Sequence, residues 1–160
     1  MAIMALQIGD EAPDFTLFDS DKNQVTLSDL RGSNVLLLFF PLAFTSVCTA
    51  ELCSIRDNFK IYEQLDVQPV GVSVDSLYTL AKFKAEQNLN FPLLSDFNKE
   101  VSKTYGALYE TFGYGMKGVS KRAAFLIDRE GIIEYAEVLD NAGLQPDFVA
   151  IQGKIRELPG

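Results

Sequence analysis

The chain has 160 residues, enough for one domain with a substantial core. Hydrophobic residues make up 48% and charged residues 22%, the balance of a soluble globular protein, and no apolar run approaches the ~20 residues that span a bilayer. Net charge is −8, and the only adjacent cations are Lys121–Arg122, which argues against nucleic acid and anionic membrane as partners.

The opening MAIMALQIGD carries no cation ahead of its apolar residues, so it reads as a frayed or strand-forming start and not as a secretory leader. DFTLFDSDKNQVTLSDL reads as two short strands around a polar turn, an N-terminal hairpin. NVLLLFF (34–40) is apolar throughout, the pattern of a strand buried on both faces, and Pro41 breaks it. From about Thr45 to Leu65, apolar residues such as Leu52, Ile55 and Phe59 recur at helical spacing. PVGVSV (69–74) predicts a second buried strand, and SLYTLAKFKAEQN a helix capped by Ser76. FPLLSD predicts a short strand, and NKEVSKTYGA a short helix ending at Gly106. AAFLIDREGIIEYAEVL predicts a hairpin turned at DREG. PDFVAIQGKIREL predicts a last helix with its proline near the first turn. Strands interleaved with helices mean an α/β domain over 1–160, with a central mixed sheet flanked by helices, as in thioredoxin-like folds.

The two cysteines, Cys48 and Cys53, both lie in FFPLAFTSVCTAELC. Without histidine, Cys–His and Ser–His–Asp catalysis are excluded, and two thiols alone cannot close a zinc site. Cys48 falls in the first turn of a helix, at the carboxyl end of a strand, where α/β folds put their sites. Free N–H groups and the helix dipole there favour the thiolate. Five residues of intact helix separate the two Cα atoms by about 8.6 Å. A disulfide needs less than about 7 Å, so a Cys48–Cys53 bond could form only after that turn unwinds. Cys53 also fits a plain core role beside Leu52 and Ile55.

P-L-A-F-T-S-V-C resembles the peroxiredoxin active-site pattern, with Pro41, Thr45 and Cys48 at the matching positions. Glu51, GDEAPDFTL, FPLLSD and RAAFLID also resemble landmarks of that family, in the same order along nearly the whole chain. FFPLAFTSVC with FPLLSDF is most similar to the alkyl hydroperoxide reductase E type. A second cysteine five residues on is similar to the bacterioferritin comigratory protein type, also called peroxiredoxin Q.

The resemblance implies a thiol peroxidase acting on hydrogen peroxide and alkyl hydroperoxides, with no metal or cofactor. It implies that Cys48 attacks peroxide, and that Thr45, Arg122 and the Cys48 N–H stabilise the charge that develops. Glu51 would orient Arg122, and Pro41 would shield the sulfur from water. Cys53 would resolve the sulfenic acid, with thioredoxin as reductant. If it does not, a low-molecular-weight thiol or a glutaredoxin-like partner would serve. A homodimer is a further family expectation, and the cytoplasm is the default location. With no GGLG segment and no C-terminal Tyr-Phe pair, resistance to overoxidation is expected. Phe44, Phe112 and Tyr114 are candidates for an exposed ring set that binds substrate or a neighbouring subunit. Residue patterning leaves two rivals. A thioredoxin-type carrier would need Cys-x-x-Cys, and a non-enzymatic binding or chaperone module on the same fold would not react rapidly with peroxide.

Overall fold

A computed structural model describes residues 6–158. β1 (Thr16–Asp19) and β2 (Gln24–Thr26) form the expected N-terminal hairpin. The Asp19 carboxylate closes its turn by accepting the N–H groups of Asp21 and Asn23. β3 (Asn34–Phe39), β4 (Val67–Ser73) and β5 (Leu93–Ser95) run parallel, and β6 (Arg122–Ile127) and β7 (Ile133–Leu139) form the second hairpin. Together they make one mixed sheet of seven strands in the order β2-β1-β5-β4-β3-β6-β7.

Every residue of β3 is buried. Leu36, Leu38 and Phe40 face one apolar cluster, while Val35, Leu37 and Phe39 face another. This is the two-sided burial its unbroken apolar run predicts, because successive side chains leave a strand on opposite faces. The first cluster is covered by α1 (Ser46–Asp57), α2 (Phe59–Gln64), α3 (Leu77–Gln87) and α5 (Phe148–Glu157). On the other face lie α4 (Glu100–Thr104), Tyr105 and Leu27.

Two helix boundaries differ in detail from the sequence reading. The single helix expected over 45–65 is broken at Asn58, which has φ −104° and ψ 16°. There the Asn58 side-chain amide donates to the Ser54 carbonyl at 2.9 Å, competing with the backbone for a helix-end acceptor. Pro146 stands ahead of α5, and Asp147 caps that helix by accepting the Ala150 N–H at 3.0 Å. The frayed or strand-forming start expected for MAIMALQIGD falls half on residues 1–5, outside the described residues; residues 6–10 form no strand, and Glu11 makes an isolated bridge to Ile132. Ser76 caps α3 as expected, accepting the Thr79 N–H.

Asp75, just beyond β4, joins three segments. Its Oδ2 accepts the Ala43 N–H at 2.8 Å and the Ser73 hydroxyl at 2.7 Å, and its carbonyl accepts the Ser95 hydroxyl at 2.6 Å. The loop between β3 and α1 is thereby tied to the ends of β4 and β5. Asp75→Ala should lower stability by about 1–3 kcal/mol in denaturant titrations, because the buried Ser73 hydroxyl and the Ala43 N–H lose their acceptor. Asp75→Asn keeps one acceptor oxygen and should lose less.

Candidate active site

β3 ends against Pro41, which has no N–H to continue a ladder and is buried. Phe44, a non-glycine residue at φ 69°, turns the chain into α1. Thr45 occupies the N-cap position, but its side chain makes no capping bond. Its hydroxyl donates instead to the Leu42 carbonyl at 2.8 Å. Thr45 therefore does not cap α1 through its side chain.

Cys48 lies in the first turn of α1 with 0% of its surface exposed. Glu51 follows one turn later on the same face and is also fully buried. Arg122, the first residue of β6, meets both. Its Nη1 donates to Glu51 Oε2 at 2.6 Å, and its Nη2 donates to the Cys48 sulfur at 3.2 Å. Nη2 also donates to the Ala142 carbonyl at 3.0 Å. The guanidinium is 1% exposed, so Arg122 and Glu51 are a buried pair and not a solvated surface one. Among the described residues, Arg122 Nε and Glu51 Oε1 have no hydrogen-bond partner.

The electrostatics follow from burial. Loss of solvent pushes the Glu51 carboxyl up to about 7, against the opposing pull of Arg122. Burial also works against the Arg122 charge, yet Glu51 and the Cys48 sulfur hold that guanidinium above its ordinary range. The site thus offers a fixed positive charge beside a sulfur from which bulk water is kept.

Cys53, on the last two turns of α1, is half-buried and packs against the helix-side cluster. Its thiol donates to Gln87 Oε1 at 3.4 Å, and both cysteines are free. The three rings singled out from the sequence do not pair with one another among the described residues. Phe44 packs edge-on against Phe83, Phe112 lies against Tyr109, and Tyr114 is fully exposed. Sequence reading missed Asp75, Ala142 and Gln87. Asp75 lay at the carboxyl end of a predicted strand, which was a usable signal. Ala142 contributes only a carbonyl, which no side-chain pattern announces.

A mixed α/β sheet of thioredoxin type, with a buried thiol at a helix start bonded by a buried guanidinium, defines a thiol-based oxidoreductase. Residues 8–136 match the AhpC/TSA family. The chain is 42% identical over 136 residues to alkyl hydroperoxide reductase E of Mycobacterium tuberculosis, covering 83% of this chain and 86% of that protein. It is 40% identical over 146 residues to a chloroplastic 2-cysteine peroxiredoxin of Chattonella marina, covering 84% and 72%. The crystal structure of peroxidoxin BcpB from Mycobacterium tuberculosis superposes with a TM-score of 0.84 at 28% identity, covering 97% of this chain and 99% of that one. The chain belongs to the AhpC/TSA family, the peroxiredoxins, and its activity is that of a thiol peroxidase using a peroxide and a thiol reductant. No helix among the described residues is long and apolar enough to cross a membrane.

Glu51 gives the site a pH signature. Its folded value, about 7, lies above the ordinary 4.5, so between these values the folded state holds a proton that the unfolded state releases. Stability contributed by this group is present at the acid end of that window and is lost as pH rises through about 7. Denaturant titrations from pH 5 to 8 should show wild type losing up to about 3 kcal/mol relative to Glu51→Gln. Parallel profiles for the two proteins would refute the assignment.

Proposed function

We propose that Cys48 is the peroxide-reacting thiol, that Thr45 and Arg122 stabilise its transition state, and that Cys53 resolves the product. The observation that carries this reading is the buried Arg122 Nη2, 3.2 Å from the Cys48 sulfur. The Cys48 thiol first gives up its proton. The thiolate then attacks one oxygen of the hydroperoxide, the O–O bond breaks, and sulfur leaves as a sulfenic acid. The departing alkoxide, or hydroxide from hydrogen peroxide, takes a proton from solvent and leaves as alcohol or water.

Stabilising the thiolate does not by itself give speed, because nucleophilicity falls as the thiolate becomes more stable. The gain must come from groups aimed at the charge that grows on the leaving oxygen. Arg122 has forked donors and holds its charge. The Thr45 hydroxyl can exchange its bond to Leu42 for one to peroxide, giving and accepting at once. The Cys48 N–H lies in the first helical turn, where no intrahelical acceptor serves it. Glu51 orients Arg122 through a charge-assisted bond, and buried Pro41 keeps water from the sulfur.

Cys53 then attacks the sulfenic sulfur. An S–S bond forms, the S–O bond breaks, and the hydroxyl leaves as water with the proton of Cys53. Both cysteines lie within one regular helix, so α1 must first unwind between them. Thioredoxin is the reductant that fits an internal disulfide. Hydrogen peroxide and alkyl hydroperoxides are the substrates, the cytoplasm is the compartment, and a homodimer is the assembly we assign.

Mass spectrometry after one equivalent of hydrogen peroxide tests the reading. Wild type should lose two hydrogens, and Cys53→Ser should hold a sulfenic acid on Cys48. Wild type that stops at the sulfenate, or carries an external adduct, would point to one-cysteine recycling by a small thiol or a glutaredoxin-like partner. Arg122→Lys should slow Cys48 oxidation about 10²–10³-fold, since a point charge cannot reproduce the fork. Consumption of peroxide that survives Cys48→Ser would reverse the assignment of the two thiols.

A further inference from the structure

The carboxyl-terminal turns of α1 are held by three contacts, two to Gln87 at the end of α3 and one to Asn90 just beyond it. The Cys53 thiol donates to Gln87 Oε1 at 3.4 Å. Arg56 Nη1 donates to the Gln87 carbonyl, and Asn90 Nδ2 donates back to the Arg56 carbonyl at 3.4 Å. Gln87 is the last residue of α3, so its carbonyl is one of the acceptors a helix leaves open at that end. A guanidinium there also meets the negative end of the helix dipole. Cys53 and Arg56 are three residues apart and share one face of α1. Gln87 therefore grips that face through both its side chain and its backbone.

The break at Asn58 limits what must move. α1 ends at Asp57, one turn after Cys53, and the backbone bonds of α2 do not continue those of α1. Unwinding that brings Cys53 to Cys48 can be confined to the turns that end at Asp57. Of the contacts that hold those turns to another element, the ones to Gln87 include the resolving sulfur itself.

We propose that Gln87 is a positioning residue for the resolving step, holding Cys53 in its helical place and so setting how fast the internal disulfide forms. This rests on the reading of Cys53 as resolving thiol. Gln87 touches neither peroxide nor Cys48; it acts through Cys53. While it grips, Cys53 is helical and the Cys48 sulfenic acid persists, open to a second peroxide. That second reaction adds an oxygen to sulfur and gives the sulfinic acid, with water or alcohol leaving. When the grip is released, Cys53 reaches the sulfenic sulfur and water leaves. The strength of one thiol-to-amide contact thus divides the sulfenic acid between disulfide and sulfinic acid.

Rapid-quench mass spectrometry on Gln87→Ala and Gln87→Glu tests this. Alanine is a better helix former than glutamine, so α3 should fold in the first variant. Loss of one weak neutral hydrogen bond should speed disulfide formation about threefold, leave Cys48 oxidation unchanged, and lower the sulfinic fraction at excess peroxide. Gln87→Glu keeps an acceptor oxygen and should return resolution to the wild-type rate or below. Gln87→Ala that resolves no faster than wild type, while wild type does form the bond, overturns this proposal alone. A parallel fall in both steps marks Gln87 as ordinary packing and overturns it too. A wild-type protein that never forms the internal bond overturns both this proposal and the resolving role of Cys53.

Discussion

The guanidinium of Arg122, buried between the Glu51 carboxylate and the Cys48 sulfur, is the interaction on which the site depends. Taking two charges out of water costs several kcal/mol each, and their attraction repays it only with good geometry. Here the geometry is good on one side and incomplete on the other. Glu51 Oε2 receives a short charge-assisted bond, while Glu51 Oε1 and Arg122 Nε are left without partners among the described residues. Buried ion pairs of this kind are often no better for stability than well-packed apolar side chains of similar volume. What an apolar substitute lacks is a fixed positive charge, dry and already aimed at a sulfur, which needs no reorganisation when the reaction begins.

The sheet topology makes this meeting possible. The bond from Arg122 to Cys48 spans 74 positions of sequence. β6 runs antiparallel to β3 with Ala123 opposite Phe39, so the start of β6 lies beside the end of β3. The chain leaves β3, turns at Phe44 and enters α1 within a few residues. The first turn of α1 therefore stands above the first residue of β6. Asp75 fixes the turn from the third direction, because β4 is parallel to β3 and ends at the same edge. The ends of β3 and β4 and the start of β6 thus meet at one edge, where β6 brings Arg122 to the thiol and Asp75, after β4, holds the Ala43 N–H of the turn that leads to it.

Cys53 belongs to a different balance. Within α1 it is a packed, hydrogen-bonded residue, and the helix that holds it also keeps it out of reach of Cys48. On the proposed resolving role of Cys53, the site needs one helical turn ordered for the first step and disordered for the second, and it cannot be optimised for both. The end of α1 is interrupted at Asn58 and joined to Gln87 and Asn90 by polar contacts, while Leu52 and Ile55 pack into the same core as Leu80 and Phe83 of α3.

Local chemistry made much of this protein legible in its residues. The unbroken run from Asn34 to Phe40 announced a strand covered on both faces, Pro41 announced its end, and Ser76 announced the cap of α3. The placement of Cys48 in a first helical turn followed from the same short stretch, because strand, breaker and helix are all short-range patterns. The break at Asn58 was hidden, since an asparagine side chain that competes for a helix carbonyl looks like any polar surface position. The amino-acid order by itself determined an α/β chain with one thiol at a helix start and a second one five positions on. Only the tertiary structure decided which cation, which carboxylate and which carbonyl would surround that thiol, because strand pairing brings them together from distant segments and no periodicity records a partner 74 residues away.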